Sequence, residues 1–225
     1  MIGLQILERN RAVTNSQVEQ LRQLPVANIS DCMSRMTAGG PRLRPIHKSG
    51  VMAGPALTVK TRPGDNLMFH KAISMAVPGD VIVVDAGGDL TNALTGEIMV
   101  ATAKSKGIAG FVLNGAVRDS ETIGAGSFPV YAAGITHRGP YKDGPGEINV
   151  PIAIDGMVIE PGDLMIGDAD GVLVVPFLLV DEIYAAAVAK GKAEAKTMKA
   201  IADGTLDTAW IDAALKRIGC NVDPR

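Results

Sequence analysis

The chain has few aromatic residues and almost no net charge. Of its 225 residues only 4% are aromatic, whereas 47% are hydrophobic and 26 are glycine. The core must therefore be built mainly from aliphatic side chains, and a compact α/β protein with many tight turns is predicted. The length fits one domain, with or without terminal extensions. The formal charge of −2 comes from 22 basic and 24 acidic residues, and without a basic stripe it argues against nucleic-acid binding.

Cysteines and long apolar runs are also scarce. The two cysteines, Cys32 and Cys220, have neither metal-site spacing nor the number needed for a disulfide framework. The first residues lack a basic segment followed by a long apolar core, so no signal peptide is predicted. No run approaches the roughly eighteen apolar residues of a membrane span. The expected compartment is the reducing cytoplasm, with no membrane partner.

The most informative stretch is Val81–Glu121. It begins with an apolar, strand-like run, Val81–Asp85, which a glycine-rich loop follows. A helical pattern then extends from Thr95 to Lys106, and a second strand-like run, Ala109–Leu113, comes next. Two strands joined by a helix form a βαβ unit, and in such sheets ligands bind beyond the carboxyl ends of the strands. The start of this helix and the segment after the second strand are therefore predicted to face one another.

The start of this helix offers hydrogen-bond donors to an anion. The first free N–H groups belong to Gly96, Glu97, Ile98 and Met99, and the positive end of the helix dipole lies there. Arg118, after the second strand, presents a planar fork that can bind a carboxylate through two hydrogen bonds. This combination predicts a site for a small carboxylate or phosphate.

Two acidic residues accompany these donors. Glu97 and Asp119 supply hard oxygens for a cation such as Mg²⁺, which takes one or two protein carboxylates and keeps several waters. The residues together indicate a metal-bound small oxoacid. A solvated Arg118–Asp119 surface pair, with Glu97 only complementing the helix dipole, remains the alternative.

The spacing of these residues resembles that of a known family. Glu97, twenty intervening residues and then Arg118-Asp119 look like the acidic-x20-Arg-Asp signature of class II pyruvate aldolases acting on 4-hydroxy-4-methyl-2-oxoglutarate. That family shares its fold with the RraA-like regulators of ribonuclease activity. The resemblance covers roughly Leu24 to Gly204. The further landmarks, in family order, are Ser30-Asp31, Gly64-Asp65-Asn66, Pro78-Gly79-Asp80, Gly115-x-x-Arg118-Asp119, Asn149-Val150-Pro151 and Pro161-Gly162-Asp163-x-x-x-Gly167-Asp168-x-Asp170-Gly171-Val172.

The resemblance implies a fold more specific than the α/β class that the sequence pattern indicates. It implies a layered αββα sandwich of the RraA-like type, a single domain with a C-terminal helical arm, assembling as a trimer or a dimer of trimers. We expect an N-terminal extension and helix at 1–23, the catalytic core at 24–177 and C-terminal helices with an oligomer contact at 178–225.

The resemblance also implies an activity. A divalent cation, Mg²⁺ or Mn²⁺ or another, would be held by Asp119 and mostly by water. The enzyme would cleave 4-hydroxy-4-methyl-2-oxoglutarate or 4-carboxy-4-hydroxy-2-oxoadipate-type oxoacids to pyruvate and a second oxoacid, with oxaloacetate decarboxylation as a side activity. The N–H groups of Gly96 to Met99 would hold the substrate carboxylate, and Arg118 would orient the substrate and neutralise enolate charge. Glu97, through a metal-bound water, would assist proton transfer.

Two further points concern the site. No lysine is needed as a Schiff base, and none is predicted to lie where it could serve as one. Members of the family complete each site with a glutamate from a neighbouring subunit, and Glu194 falls at the expected position, although its pattern also fits an ordinary solvated helix face.

A non-catalytic regulator that binds a ribonuclease is the alternative function; Glu97 together with Arg118-Asp119 favours catalysis.

Other segments carry local signals. Residues 1–13 are predicted to be an extension that packs locally or frays, and the Gly39-Gly40-Pro41 turn is predicted to close a helical segment. Pro55 predicts an edge strand or a bulge, and His70 is either a packed histidine or part of the site's rim. Asp155-Gly156 is a strong hairpin signal. A helix at 16–24 is predicted to begin with a capping box at Ser16-Gln17-Val18-Glu19, and a second short helix is predicted to be capped by Ser30 and Asp31. The other predicted helices are Asn66–Ala76, Ser120–Ala125, Leu178–Ala202 and Asp207–Ile218.

Overall fold

The structure, a computed structural model, describes residues 2–37 and 40–221. The Gly39-Gly40-Pro41 turn lies partly outside these residues. The strands are β1 (Leu4–Ile6), β2 (Arg44–Pro45), β3 (Met52–Thr61), β4 (Val81–Asp85), β5 (Ala93–Thr95), β6 (Gly110–Val117), β7 (Val130–Ile135), β8 (Gly146–Ile148), β9 (Ile152–Ile154), β10 (Met157–Ile159), β11 (Leu164–Gly167) and β12 (Val172–Val175). The helices are α1 (Asn15–Arg22), α2 (Val26–Cys32), α3 (Leu67–Met75), α4 (Glu97–Ser105), α5 (Ser120–Ala125), α6 (Val180–Ala202) and α7 (Ala209–Arg217).

The main sheet has the strand order β1-β8-β3-β4-β6-β7-β2. Its centre, β3-β4-β6-β7, is parallel, whereas β8 and β2 join it antiparallel. The strand Val81–Asp85 has the predicted bounds, and every residue of β6 is buried. Continuous burial is typical of parallel strands covered on both faces. The predicted βαβ unit is thus confirmed at the centre of the sheet.

Three apolar cores separate four layers. One core lies between the main sheet and helices α3, α4 and α5, and contains Phe69 and Phe111. A second lies between the opposite face of the sheet and strands β9–β12. The third joins β11 and β12 to α1, α2 and the beginning of α6. This α-β-β-α layering confirms the predicted sandwich.

The predicted Asp155-Gly156 hairpin is also confirmed. These two residues join β9 to β10 in an antiparallel pair, with φ of 50° and 86°. Positive φ at both central residues suits a two-residue turn whose twist matches the flanking strands.

Several local predictions are wrong. The capping box belongs to Thr14 and Gln17 rather than to Ser16 and Glu19, so α1 begins one residue before the predicted start. Ser30 and Asp31 lie in the last turn of α2 and do not cap a helix there. Helix α2 starts before the predicted cap at Ser30 and Asp31. Pro25, which was predicted only to end α1, directly precedes it, and proline is favoured at helix starts.

Two strand predictions also need correction. Pro55 lies in β3, an interior strand, at the position where its antiparallel partner β11 ends and its parallel partner β4 begins, so its missing N–H interrupts no continuous ladder. The segment predicted as an extension contains β1, which pairs in parallel with β8.

The chain divides into two compact units, one extending to Ala187 and the other beginning at Val188. The second contains most of α6 and all of α7. Across residues 2–37 and 40–221, no helix combines the length and apolarity that crossing a membrane requires.

Candidate active site

The backbone brings the two predicted site segments together. Strand β6 extends to Val117, further than the sequence indicated, so Arg118 and Asp119 follow it directly. A short strand that was not predicted, β5, pairs with this end of β6, with Thr95 opposite Val117. The N–H of Arg118 donates to the carbonyl of Thr95 at 2.9 Å. Gly96 and the start of α4 therefore lie beside Arg118 and Asp119.

Asp119 has an unusual backbone conformation. Its φ is 54°, in the left-handed region that aspartate tolerates better than most non-glycine residues. Asp119 precedes α5 but does not cap it with its side chain. Instead, Oδ2 accepts a hydrogen bond from the N–H of Glu97 at 3.0 Å. Strained residues of this kind concentrate at functional sites, where surrounding contacts hold them.

Gly96 is required by this close approach. Its φ of −156° is extended backbone that any residue can adopt. A Cβ at this position, however, would collide with Oδ2 of Asp119 and lie 2.9 Å from Cγ of Arg118. The glycine is therefore explained by proximity of the two side chains, and not by its backbone angles.

The donors at the start of α4 are partly in use. The N–H of Glu97 is occupied by Asp119, whereas those of Ile98 and Met99 find no acceptor among the described residues. The Ile98 side chain is 77% exposed, and that of Met99 is buried. The helix terminus thus keeps free donors for an anion while Asp119 is fixed against it.

A cavity of about 280 Å³ opens next to these groups. Arg118, with 43% of its side chain exposed, lies in its wall. Its Nε is 3.7 Å from Oδ2 of Asp119. The lining residues are Asn66, His70, Leu94, Thr95, Gly96, Ile98, Met99, Arg118, Gly139, Pro140 and Lys142.

Two lining residues carry buried polar atoms without partners. Oδ1 of Asn66 and Oγ1 of Thr95 form no hydrogen bond within the described part of the chain. Nδ2 of Asn66, by contrast, donates to the carbonyl of Leu94 at 2.8 Å. Buried polar groups are nearly always satisfied, so this end of the wall suits an ordered water or a polar ligand.

His70 and Lys142 form another part of the wall. The pKa of His70 is lowered, first because neighbouring atoms partly desolvate the ring and second because of the positive charge of Lys142. Because His70 lines the cavity, it lies at the rim of the site. The sequence had left open whether it is a packed histidine or part of this rim. The 136–146 loop brings the exposed Lys142 to the cavity, a position that the sequence did not predict. The expectation that no lysine serves as a Schiff base stays a prediction.

The acidic residues fit a hydrated divalent cation. Oδ2 of Asp119 is held by the N–H of Glu97, and Oδ1 accepts no hydrogen bond from the described residues. No cluster of three or more histidine, cysteine, aspartate or glutamate side chains with metal-binding geometry occurs at 2–37 or 40–221. One or two carboxylates with several waters is the coordination that Mg²⁺ favours, whereas a zinc site takes three or four protein ligands.

Glu194 lies on α6, within the second unit. Its carboxylate is 3.1 Å from Nζ of Lys190, one helical turn earlier. Such exposed i,i+4 pairs contribute little to stability. The proposed role of Glu194 in a neighbouring subunit's site remains a prediction.

Sequence reasoning missed several lining residues. Asn66 was noted only as part of a landmark and as the start of a predicted helix, and Thr95 only as the start of a helical pattern. Gly139, Pro140 and Lys142 lie in a loop without hydrophobic periodicity, so local pattern could not assign them to the site. Only long-range contacts place that loop at the cavity.

The fold and the site together are those of an α/β sandwich with a cleft at a helix terminus, where free N–H groups and Arg118 lie beside Asp119. Residues 26–174 match the RraA-like family described as Aldolase/RraA, and the chain belongs to this family. A protein of Halalkalibacterium halodurans, whose provisional name is 4-hydroxy-4-methyl-2-oxoglutarate aldolase, is 41% identical over 189 residues, which is 84% of this chain and 90% of that protein.

Solved structures agree with this assignment. An uncharacterized protein from Pseudomonas syringae pv. tomato superposes with a TM-score of 0.78 and 29% identity, covering 88% of this chain and 93% of its own. The RNA-processing inhibitor RraA from Thermus thermophilis superposes with a TM-score of 0.63 and 30% identity, covering 68% of this chain and 93% of its own.

Proposed function

We propose that this protein is a divalent-metal-dependent aldolase. It would cleave a 4-hydroxy-2-oxo acid bearing a second carboxylate, of the 4-hydroxy-4-methyl-2-oxoglutarate or 4-carboxy-4-hydroxy-2-oxoadipate type, to pyruvate and a second oxoacid. Decarboxylation of oxaloacetate to pyruvate is proposed as a side activity. The observation that carries the proposal is the hydrogen bond between Asp119 and the N–H of Glu97 beside Gly96, which fixes an acid next to the cavity that Arg118 and Gly96 line.

The reaction assigns a task to each group. Asp119 would hold the cation through its free Oδ1, and the cation, when bound, supplies Lewis-acid chemistry at the 2-oxo oxygen and the adjacent carboxylate. The free N–H groups of Ile98 and Met99 bind that carboxylate. Arg118 donates to the 2-oxo oxygen, on which negative charge develops as the bond between C3 and C4 breaks. Arg118 thereby stabilises the transition state more than the bound substrate, whereas the two N–H groups position the substrate through a carboxylate whose charge does not change.

Proton transfer falls to Glu97. The 4-hydroxyl must lose its proton as C4 becomes a carbonyl carbon, and C3 must gain one to give pyruvate. Glu97 is the acid at the start of α4, exposed and next to Asp119, and its carboxylate can hold this proton.

A homo-oligomer is part of the proposal. In a trimer or dimer of trimers, Glu194 would complete a neighbour's site. The H. halodurans relative and the family signature support the catalytic role of that site. The exposed apolar side chains of α7, including Trp210 with 68% exposure, suit a contact with another copy.

A pyruvate assay tests the proposal. Purified protein is mixed with 4-hydroxy-4-methyl-2-oxoglutarate or with oxaloacetate, and pyruvate is followed with Mg²⁺ and with excess EDTA. We expect Mg²⁺-dependent pyruvate from both compounds, abolished by EDTA and restored by added metal. No pyruvate above the uncatalysed rate from either compound would reject catalysis and favour a binding role such as that of the Thermus inhibitor.

A further inference from the structure

Lys142 is held at the cavity by contacts on both sides of it in the chain. The N–H of Tyr141 donates to the carbonyl of Gly64 at 2.9 Å, and the carbonyl of Tyr141 accepts from Asn66 at 3.0 Å. The N–H of Asp143 donates to Oδ2 of Asp65 at 2.7 Å. The backbone at Lys142 therefore cannot move far without breaking several hydrogen bonds.

Asp65 is the centre of this arrangement. Its side chain is fully buried, yet Oδ2 accepts from the N–H groups of Asp143 and Gly144, the second at 2.9 Å. Oδ1 accepts from the N–H of Leu67 at 2.9 Å, at the start of α3, and Arg62 approaches Oδ2 at 3.2 Å. A buried carboxylate is tolerated when it is paired and hydrogen-bonded in this way. It links the start of α3 to the loop that carries Lys142.

The same loop follows the cavity wall. Gly139 and Pro140 line the cavity, and a Cβ at Gly139 would lie 3.4 Å from Nη1 of Arg118. Lys142 also lines it and acts electrostatically on His70. Within residues 2–37 and 40–221 the ammonium group of Lys142 forms no ion pair, so its charge is available to a ligand. When a substrate carboxylate is bound at Arg118 and the start of α4, the ammonium group of Lys142 thus remains as another positive charge in the cavity wall.

We propose that Asp65 is a positioning residue that keeps Lys142 at the cavity, where the ammonium group selects oxoacids that carry a second carboxylate. This inference rests on the proposed function, because it names the feature of the substrate that the same cavity recognises. Asp65 acts through the loop backbone and does not itself touch the substrate.

Binding of two uncleaved oxoacids of the same length tests the proposal. 2-Oxoglutarate has a second carboxylate where 2-oxopentanoate has a methyl group, and neither has the 4-hydroxyl that cleavage requires. Dissociation constants are measured by calorimetry with saturating Mg²⁺. The ratio of the two constants reports recognition of the second carboxylate without any catalytic step. Wild-type protein is expected to prefer 2-oxoglutarate.

The variants separate positioning from general stability. Lys142→Met is expected to lower the preference about 10-fold or more, the effect of losing a hydrogen bond to a charged group. Asp65→Asn replaces a carboxylate that accepts from two N–H groups with an amide, and it should also lower the preference for 2-oxoglutarate. In the double variant the preference should be no lower than in Lys142→Met alone, because both act through one group. Asp80→Asn removes another buried carboxylate that accepts from a turn N–H, and should leave the preference unchanged.

Hydrogen exchange gives a second readout, and its wild-type measurement does not depend on a folded variant. The amides of Tyr141, Asp143 and Gly144 should exchange slowly in the wild type and faster in Asp65→Asn. Rapid exchange of these amides in the wild type would overturn the proposal. So would an unchanged preference in Lys142→Met, or an Asp65→Asn protein that weakens both oxoacids equally. If the wild type binds neither oxoacid, the proposed function itself is wrong.

Discussion

The carboxylate of Asp119 and the backbone N–H of Glu97 form a 3.0 Å hydrogen bond between residues 22 apart in the chain. The bond connects the end of β6 to the start of α4, the two segments that the family signature combines. It requires Asp119 in the left-handed region and a residue without a side chain at position 96. The signature spacing therefore has a physical basis. A change at the start of α4 would move the carboxylate of Asp119, and a change at the end of β6 would move Glu97.

Gly96→Ala tests this relationship. The new Cβ would displace Oδ2 of Asp119 and press on Arg118, so activity with Mg²⁺ should fall about 10–100-fold, the usual effect of misplacing a metal ligand's support. The unfolding temperature should change little, because both displaced side chains are exposed. Gly126→Ala is the matched control: its nearest contact would be an ordinary 3.4 Å, and its φ is −93°. Equal loss in both variants would contradict the model.

Asp119→Asn tests the metal ligand. The amide oxygen can still accept from Glu97, and asparagine also tolerates left-handed backbone, so the fold should persist. The lost charge should raise the Mg²⁺ concentration needed for half-maximal activity and remove most turnover. Metal titrations of activity and calorimetry measure this effect. Glu121→Gln, two residues further along in α5, removes a nearby charge and should leave the titration unchanged; an Asp119→Asn protein with a wild-type titration would reject the assignment.

Arg118→Lys keeps the positive charge and loses the planar fork. Because a lysine cannot form the paired hydrogen bonds to an oxoacid, kcat/KM for oxaloacetate should fall roughly 10–100-fold. Arg44→Lys, on strand β2, makes the same chemical change away from the cavity. Near wild-type kcat/KM in Arg118→Lys would mean that the arginine is only a surface group.

The sequence predicted the centre of the fold better than its periphery, for a physical reason. Strand β4 and helix α5 have the predicted bounds because a buried apolar run and a short helical segment between strands are local signals. Strands β1, β2 and β8 were missed because they have two or three residues each, and their pairing partners are distant in sequence. Lys142 was missed for the same reason, since its loop reaches the cavity through contacts with residues distant in sequence, including those of Asp65.

The position of Lys142 makes a chemical test of the reaction class necessary. A Schiff-base aldolase would join this lysine to pyruvate, and reduction with borohydride would trap the adduct. A metal-dependent enzyme should instead keep its intact mass and its activity after incubation with pyruvate and borohydride and removal of both reagents. Mass spectrometry detects the difference directly, and peptide mapping identifies the modified residue. A pyruvate adduct on Lys142 would overturn the metal-dependent mechanism.

Glu194 provides the most demanding prediction, because its role depends on a second subunit. Its ion pair with Lys190 is an exposed i,i+4 contact, so Glu194→Gln should lose only a few tenths of a kcal/mol of stability. If the glutamate completes a neighbour's site, activity should nevertheless fall about 10–100-fold, as for loss of a group that orients metal ligands. Glu182→Gln, in the first turn of the same helix, is the control and should stay active.

Subunit exchange then shows whether Glu194 acts across an interface. Inactive Asp119→Asn and inactive Glu194→Gln proteins are mixed under conditions that allow exchange, and mixed oligomers are verified by native mass spectrometry. A site that takes Asp119 from one parent and Glu194 from the other is intact only when the two residues belong to different subunits. Partial recovery of activity in mixed oligomers is therefore expected, and it should be absent when exchange is blocked by cross-linking beforehand. Full activity of Glu194→Gln alone, or no recovery despite mixed oligomers, would reject a site shared between subunits.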